Sequence, residues 1–134
     1  MTIRILCIGK LKERFYADAV TEFVKRLSRY AAVEIVELGD ERAREQLSPA
    51  QREQVKSAEG RRMLARIGEG EFLVALDQRG AELSSEQLAA HMQSWMGAGK
   101  SRIAFAIGGS LGHSADVLAR ADFRLSFGRP TFSR

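Results

Sequence analysis

Cysteine is nearly absent from this chain, with Cys7 the only one in 134 residues. No internal disulfide is available, and Cys7 sits in an apolar stretch. It reads as a small buried hydrophobe in a reducing compartment. The two histidines, His91 and His113, lie far apart, and with a single cysteine they leave no zinc-ligand spacing. No apolar run approaches the ~20 residues that span a bilayer, and the N-terminus lacks a signal-peptide pattern, so a cytoplasmic location is expected. The Gly-x-x-x-x-Gly-Lys-[Ser/Thr] motif does not occur, which excludes a Walker-type nucleotidase. A relay of Ser110, His113 and Asp116 fails on spacing, because residues so close in sequence cannot form it without distortion. There is no internal repeat, low-complexity tract or dividing linker. A single domain over residues 1–134 is expected, large enough for an ordinary core.

What is present suits a soluble globular protein: 45% of residues are apolar and 28% charged. A formal net charge of +4 is compatible with an anionic partner without demanding one. Residues 102–121 dominate the pattern. A short apolar run, residues 103–107, reads as a buried strand and leads into Gly-Gly-Ser-Leu-Gly. Gly108, Gly109 and Gly112 permit backbone angles and close approaches that a β-carbon forbids. Ser114 then caps a helix with Asp116 in its first turn, where the helix dipole favours negative charge. Strand, glycine loop and helix in that order make a ligand-binding edge at the carboxyl end of a sheet. A plain tight turn is the blander reading.

The rest of the chain follows the same grammar. Residues 3–8 read as a strand ended by Gly9, after which Lys10, Lys12 and Arg14 form a basic loop, either solvated or contacting phosphate. Val20, Phe23, Val24 and Leu27 mark a helix over residues 15–30. Residues 33–38 alternate apolar and acidic, as a strand with a wet face near an edge does. A charged connector over residues 39–47 leads to Ser48-Pro49-Ala50-Gln51, a capping box with proline at the first helical position. That helix is expected to reach Ile67 and, being weakly amphipathic, to lie on the surface. Residues 72–76 predict the most apolar strand, followed by Asp77 and a turn through Gln78, Arg79 and Gly80. Ser84 and Gln87 begin a second capping-box helix, in which His91 is expected to be exposed. Residues 123–127 predict the last strand. Alternating strands and helices define an α/β protein with a mostly parallel sheet flanked by helices.

Several blocks in order carry a resemblance: Ile-Arg-Ile-Leu-Cys-Ile-Gly-Lys-Leu-Lys, Phe-Val-Lys-Arg-Leu-Ser-Arg-Tyr, Val-Ala-Leu-Asp-Gln-Arg-Gly with Ser-Ser-Glu, and Phe-Ala-Ile-Gly-Gly-Ser-Leu-Gly. Over essentially its whole length the chain resembles the RlmH (YbeA-like) proteins, of the SPOUT class of trefoil-knotted methyltransferases. The resemblance implies a SPOUT-type α/β knot and a homodimeric enzyme using S-adenosyl-L-methionine. Its implied substrate is N3 of a pseudouridine in large-subunit ribosomal RNA, within the assembled ribosome. The cofactor contacts implied by position are Leu76, Gly108, Phe127, Gly128, Arg129, Pro130, Thr131 and Phe132. Lys10, Lys12 and Arg14 are candidate RNA contacts beside Arg129, and no residue is nominated as a general base. Members of the family continue past the Thr-Phe block with a further helix, where this sequence has Ser133 and Arg134. A C-terminally short domain, with a weaker dimer and an incomplete knot, is therefore expected. A catalytically silent RNA- or ribosome-binding module and a small anion or nucleotide binder using the glycine loop remain the alternatives.

Overall fold

The computed structural model describes residues 1–14, 16–29, 31–41 and 46–128. In chain order the strands are β1 (Thr2–Ile8), β2 (Ala32–Leu38), β3 (Phe72–Glu82), β4 (Arg102–Ile107) and β5 (Phe123–Ser126). Between them lie α1 (Ala17–Leu27), α2 (Pro49–Leu64), α3 (Ser85–Gly97) and α4 (Ala115–Arg120), with a 3-10 turn at Leu11–Glu13. The strands make one sheet in the order β2-β1-β4-β3-β5, and each pairing is parallel.

Helices cover both faces, which explains why the central strands are apolar on both sides rather than alternating. Ile3, Ile5 and Cys7 of β1 pack with Phe105 and Ile107 of β4 against Val20 and Phe23 of α1 and Leu88 and Met92 of α3. Leu6 and Ile8 point the other way and meet Ala104, Ala106, Met63 of α2 and Val117 of α4. Each fully buried branched side chain stabilises the fold by about 1.5–3 kcal/mol relative to exposure. At the sheet edge β2 keeps a wet face, with Ile35 47% exposed.

The helix starts follow local chemistry. Ser48 Oγ accepts from the Gln51 N–H at 3.2 Å while Gln51 Oε1 accepts from the Ser48 N–H at 2.8 Å. Ser84 and Gln87 repeat the arrangement at 3.1 and 2.8 Å. Ser114 caps α4 by accepting from the Val117 N–H.

Some expected boundaries move for tertiary reasons. β3 does not stop at Leu76 but continues to Glu82, because its far end pairs again with β5. α2 ends at Leu64, short of Ile67, and it is not simply a surface helix, since Glu59, Gly60 and Met63 are buried, Gly60 against Ser114 and Val117 of the α4 start. α1 spans Ala17–Leu27, with Phe15 and Tyr30 outside the described residues. β5 closes at Ser126, one residue before the expected end. His91 is half-buried rather than exposed, its ring centroid 5.1 Å from that of Phe123 and 5.8 Å from that of Trp95.

Candidate active site

The carboxyl ends of β3, β4 and β5 meet on one rim. β3 pairs with β5 as far as Leu76↔Leu125, loops out over residues 77–80, and resumes at Ala81↔Leu125. Gly80 makes the excursion possible. A β-carbon there would lie 2.6–2.8 Å from the backbone of Arg124 and Leu125, which no rotamer change can relieve. The loop after β4 closes on itself through the Gly112 N–H to Gly109 carbonyl bond of 3.0 Å. A β-carbon on Gly108 would meet the Gly112 carbonyl carbon at 2.9 Å, so this loop needs glycine for its own closure. Between the two irregular segments lies a cleft of about 320 Å³, bordered by Tyr16, Leu76, Asp77, Gly108, His113 and Phe127 among others. That volume falls at the small end of the range of about 300–1,000 Å³ usual for small-molecule sites.

The polar groups of the cleft are unevenly balanced. His113 Nε2 lies 3.0 Å from the Ala106 carbonyl oxygen, a contact that requires the proton on Nε2 and leaves Nδ1 as an acceptor. Burial drives the His113 pKa below its ordinary value, against the Ala106 hydrogen bond and the Asp77 charge, and so favours neutral imidazole. Asp77 has 16% of its side chain exposed, and its Oδ2 is buried with no hydrogen-bond partner among the described residues. Its salt-bridge partner among the described residues, Arg79, stands off at 4.0 Å on a side chain that is 83% exposed. Behind the glycine loop, buried Glu59 accepts from the Glu41 N–H at 2.9 Å, while burial raises its pKa. The Tyr16 phenol is pushed up to about 12, chiefly by burial, and its ring tilts against Phe127 at 6.3 Å.

A parallel sheet with its cleft at the strands' carboxyl ends narrows the class without naming it. The decisive comparison is with a family profile described as "Predicted SPOUT methyltransferase", which matches residues 1–134. The chain belongs to this SPOUT methyltransferase family. Three similar proteins each carry the name Ribosomal RNA large subunit methyltransferase H. The protein from Carboxydothermus hydrogenoformans is 48% identical over 132 residues, covering 98% of this chain and 83% of that protein. The one from Alkaliphilus oremlandii is 50% identical over 132 residues with the same coverage. A third, from Lysinibacillus sphaericus, is 50% identical over 131 residues, covering 98% and 82%.

Within this SPOUT methyltransferase, Leu76, Gly108, Phe127 and Gly128 all line the one cleft. Arg129, Pro130, Thr131 and Phe132 lie outside the described residues. Lys10 and Lys12 are exposed at the carboxyl end of β1, but Lys12 borders a shallow depression with Ile35 and Glu37 on the β2 flank. Arg14 turns inward instead, donating through Nη2 to the Ile8 carbonyl oxygen, with its Nε buried. Asp77, Arg79, Tyr16 and His113 line the cleft without having been singled out for it. Asp77 carried a usable signal, a charge set directly at the carboxyl end of the most apolar strand. Tyr16 and Glu59 carried none, since only the packing of α1 and α2 brings them to this rim. Among the described residues no helix is long and apolar enough to cross a membrane, and no cluster of side chains has the makings of a metal site.

Proposed function

We propose that this SPOUT methyltransferase transfers a methyl group from S-adenosyl-L-methionine to N3 of a pseudouridine in large-subunit ribosomal RNA. The observation that carries the reading is the convergence of Leu76, Gly108, Phe127 and Gly128, from three separate segments, on one cleft. The names of relatives about half identical over nearly the whole chain support the RNA substrate. The residues present fit the donor. Leu76, Phe127 and Tyr16 offer apolar surface for a purine, while the glycine loop presents backbone groups without side chains in the way. When bound, the donor supplies an electrophilic methyl group on a positively charged sulfur.

The protein's own part is to bind, orient and exclude. Gly108 keeps the wall thin, and the residue 77–80 excursion shapes the opposite side. Exposed Lys10, Lys12 and Arg79 on the same carboxyl-end rim suit RNA phosphates. Alignment of the acceptor nitrogen with the donor's methyl carbon accounts for much of the expected acceleration. We propose the enzyme works in the cytoplasm, where ribosomes are, and as a homodimer; light scattering over a dilution series tests the latter.

The test of activity uses isotopically labelled donor with ribosomes that lack the modification, followed by mass mapping of nuclease fragments. Label on a large-subunit pseudouridine is the expected result. Ribosome binding and donor binding without transfer would favour a silent RNA-binding module. Affinity for simple phosphates with none for the donor would favour an anion binder.

A further inference from the structure

We propose that Asp77 makes the cleft selective for the positively charged methyl donor over its uncharged-sulfur product. The inference rests on the donor reading above and adds the residue that tells donor from product. During transfer the acceptor nitrogen takes the methyl group with its own electron pair. The sulfur keeps the pair of the bond that breaks, and the nitrogen's proton leaves to solvent. The cofactor thereby loses one positive charge while its shape barely alters. A site that must take up one form and release the other therefore has charge as its best means of discrimination.

Asp77 is placed to read that charge. The loop-out of residues 77–80, which Gly80 permits by its close approach to the β5 backbone, holds Asp77 in the cleft wall. Its Oδ2 is shut away from water without a partner among the described residues, an arrangement that costs stability and that a structural role does not explain. Among the described residues, none cancels the charge from within. Arg79 is mostly in solvent at 4.0 Å, where water screens it. His113, another titratable group of the cleft, is bonded to the Ala106 carbonyl as a neutral ring, and burial keeps the Tyr16 phenol protonated. Glu59 behind the loop and Glu82, whose Oε1 lies 2.9 Å from where a β-carbon on Gly128 would stand, can add no positive charge either. A chain of net charge +4 thus keeps an unbalanced carboxylate in its cleft. The positive charge it lacks is the one the donor brings.

The test is calorimetry on the full chain with three ligands: S-adenosyl-L-methionine, S-adenosyl-L-homocysteine, and sinefungin, which carries a protonated amine near the position of the methylsulfonium. Wild type should prefer both cations to the product by about tenfold, the scale of one partly screened charge interaction. Asp77→Asn should erase most of that preference by weakening the two cations, with product affinity nearly unchanged. Asp77→Glu, which keeps the charge, should retain it. Equal weakening of all three ligands in Asp77→Asn would make Asp77 a structural residue and overturn the proposal. Wild type binding product as tightly as the cations would overturn it without any variant, even should the asparagine variant fail to fold. A wild type that binds none of the three would instead overturn the donor reading itself.

Discussion

Glu71 leaves only 1% of its side chain exposed, and its carboxylate is held from three sides. Arg4 donates through Nε at 2.9 Å and Nη2 at 2.6 Å, and the Gly68 N–H adds a bond of 3.1 Å. Burial pushes the Glu71 pKa up, but the Arg4 and Gly68 hydrogen bonds and the Arg4 charge outweigh it, and the net shift is downward. Stability from Glu71 is therefore complete above its unfolded value, about 4.3, and is lost as pH falls through the lower folded value. Arg4→Met should strand the carboxylate and cost about 2–4 kcal/mol in urea unfolding at neutral pH. A loss below about 0.5 kcal/mol, typical of an exposed pair, would show that water reaches Glu71 after all. His113 titrates in a separate window. Its folded pKa is depressed by burial, so its contribution is present above about 6.5 and is lost as pH falls below that value. Unfolding measured at pH 7.5 and 5.5 should therefore show wild type losing more stability than His113→Gln. Equal losses would assign that pH dependence to other groups.

Among the secondary-structure elements, α2 and α4 show packing overruling helix propensity. Gly60 lies inside α2, where alanine ordinarily improves a helix by about 1 kcal/mol. Here an added β-carbon would run into Ser114 Oγ, which caps α4 and is itself buried. Gly60→Ala should therefore destabilise the protein, against the propensity scale, and thermal unfolding that rises instead would refute this contact. Ser84→Ala tests a purely local effect. Loss of the α3 capping box should cost about 1 kcal/mol and leave the cleft untouched. Gly80→Ala belongs to β3 and β5 together. It should disturb the rejoining of the two strands after the loop-out and weaken donor binding along with stability.

At the scale of the whole molecule, exposed Lys10, Lys12 and Arg79 stand at the strands' carboxyl ends, while Asp77 lines the cleft. Lys10 and Lys12 stand in solvent beyond β1, with Lys12 towards the β2 flank rather than over the cleft. Neutralising both as Lys10→Gln and Lys12→Gln should weaken RNA binding and reduce its logarithmic salt slope by about 1–2. Donor affinity should be nearly unchanged, since neither side chain borders the cleft. RNA binding equal to wild type at every salt concentration would leave these lysines as solvated loop residues. Arg14 is not included, because its guanidinium is engaged with the Ile8 carbonyl.

Much of this architecture is legible in the sequence itself. Strands buried on both faces leave continuous apolar runs, capping boxes announce helices through local hydrogen bonds, and wet-faced residues 33–38 place β2 at an edge. Leu76, Gly108, Phe127 and Gly128 were named from a family resemblance, which spacing alone does not supply. Tertiary structure decided the rest, because the deciding contacts join residues distant in sequence. β3 reaches Glu82 only because β5 pairs with it on both sides of a loop-out. Arg14 leaves the basic loop to serve the Ile8 carbonyl, and His91 is drawn against Phe123 and Trp95. Asp77 becomes an unbalanced charge because, among the described residues, no cation is brought inside beside it, a fact about three-dimensional neighbours that no local pattern records.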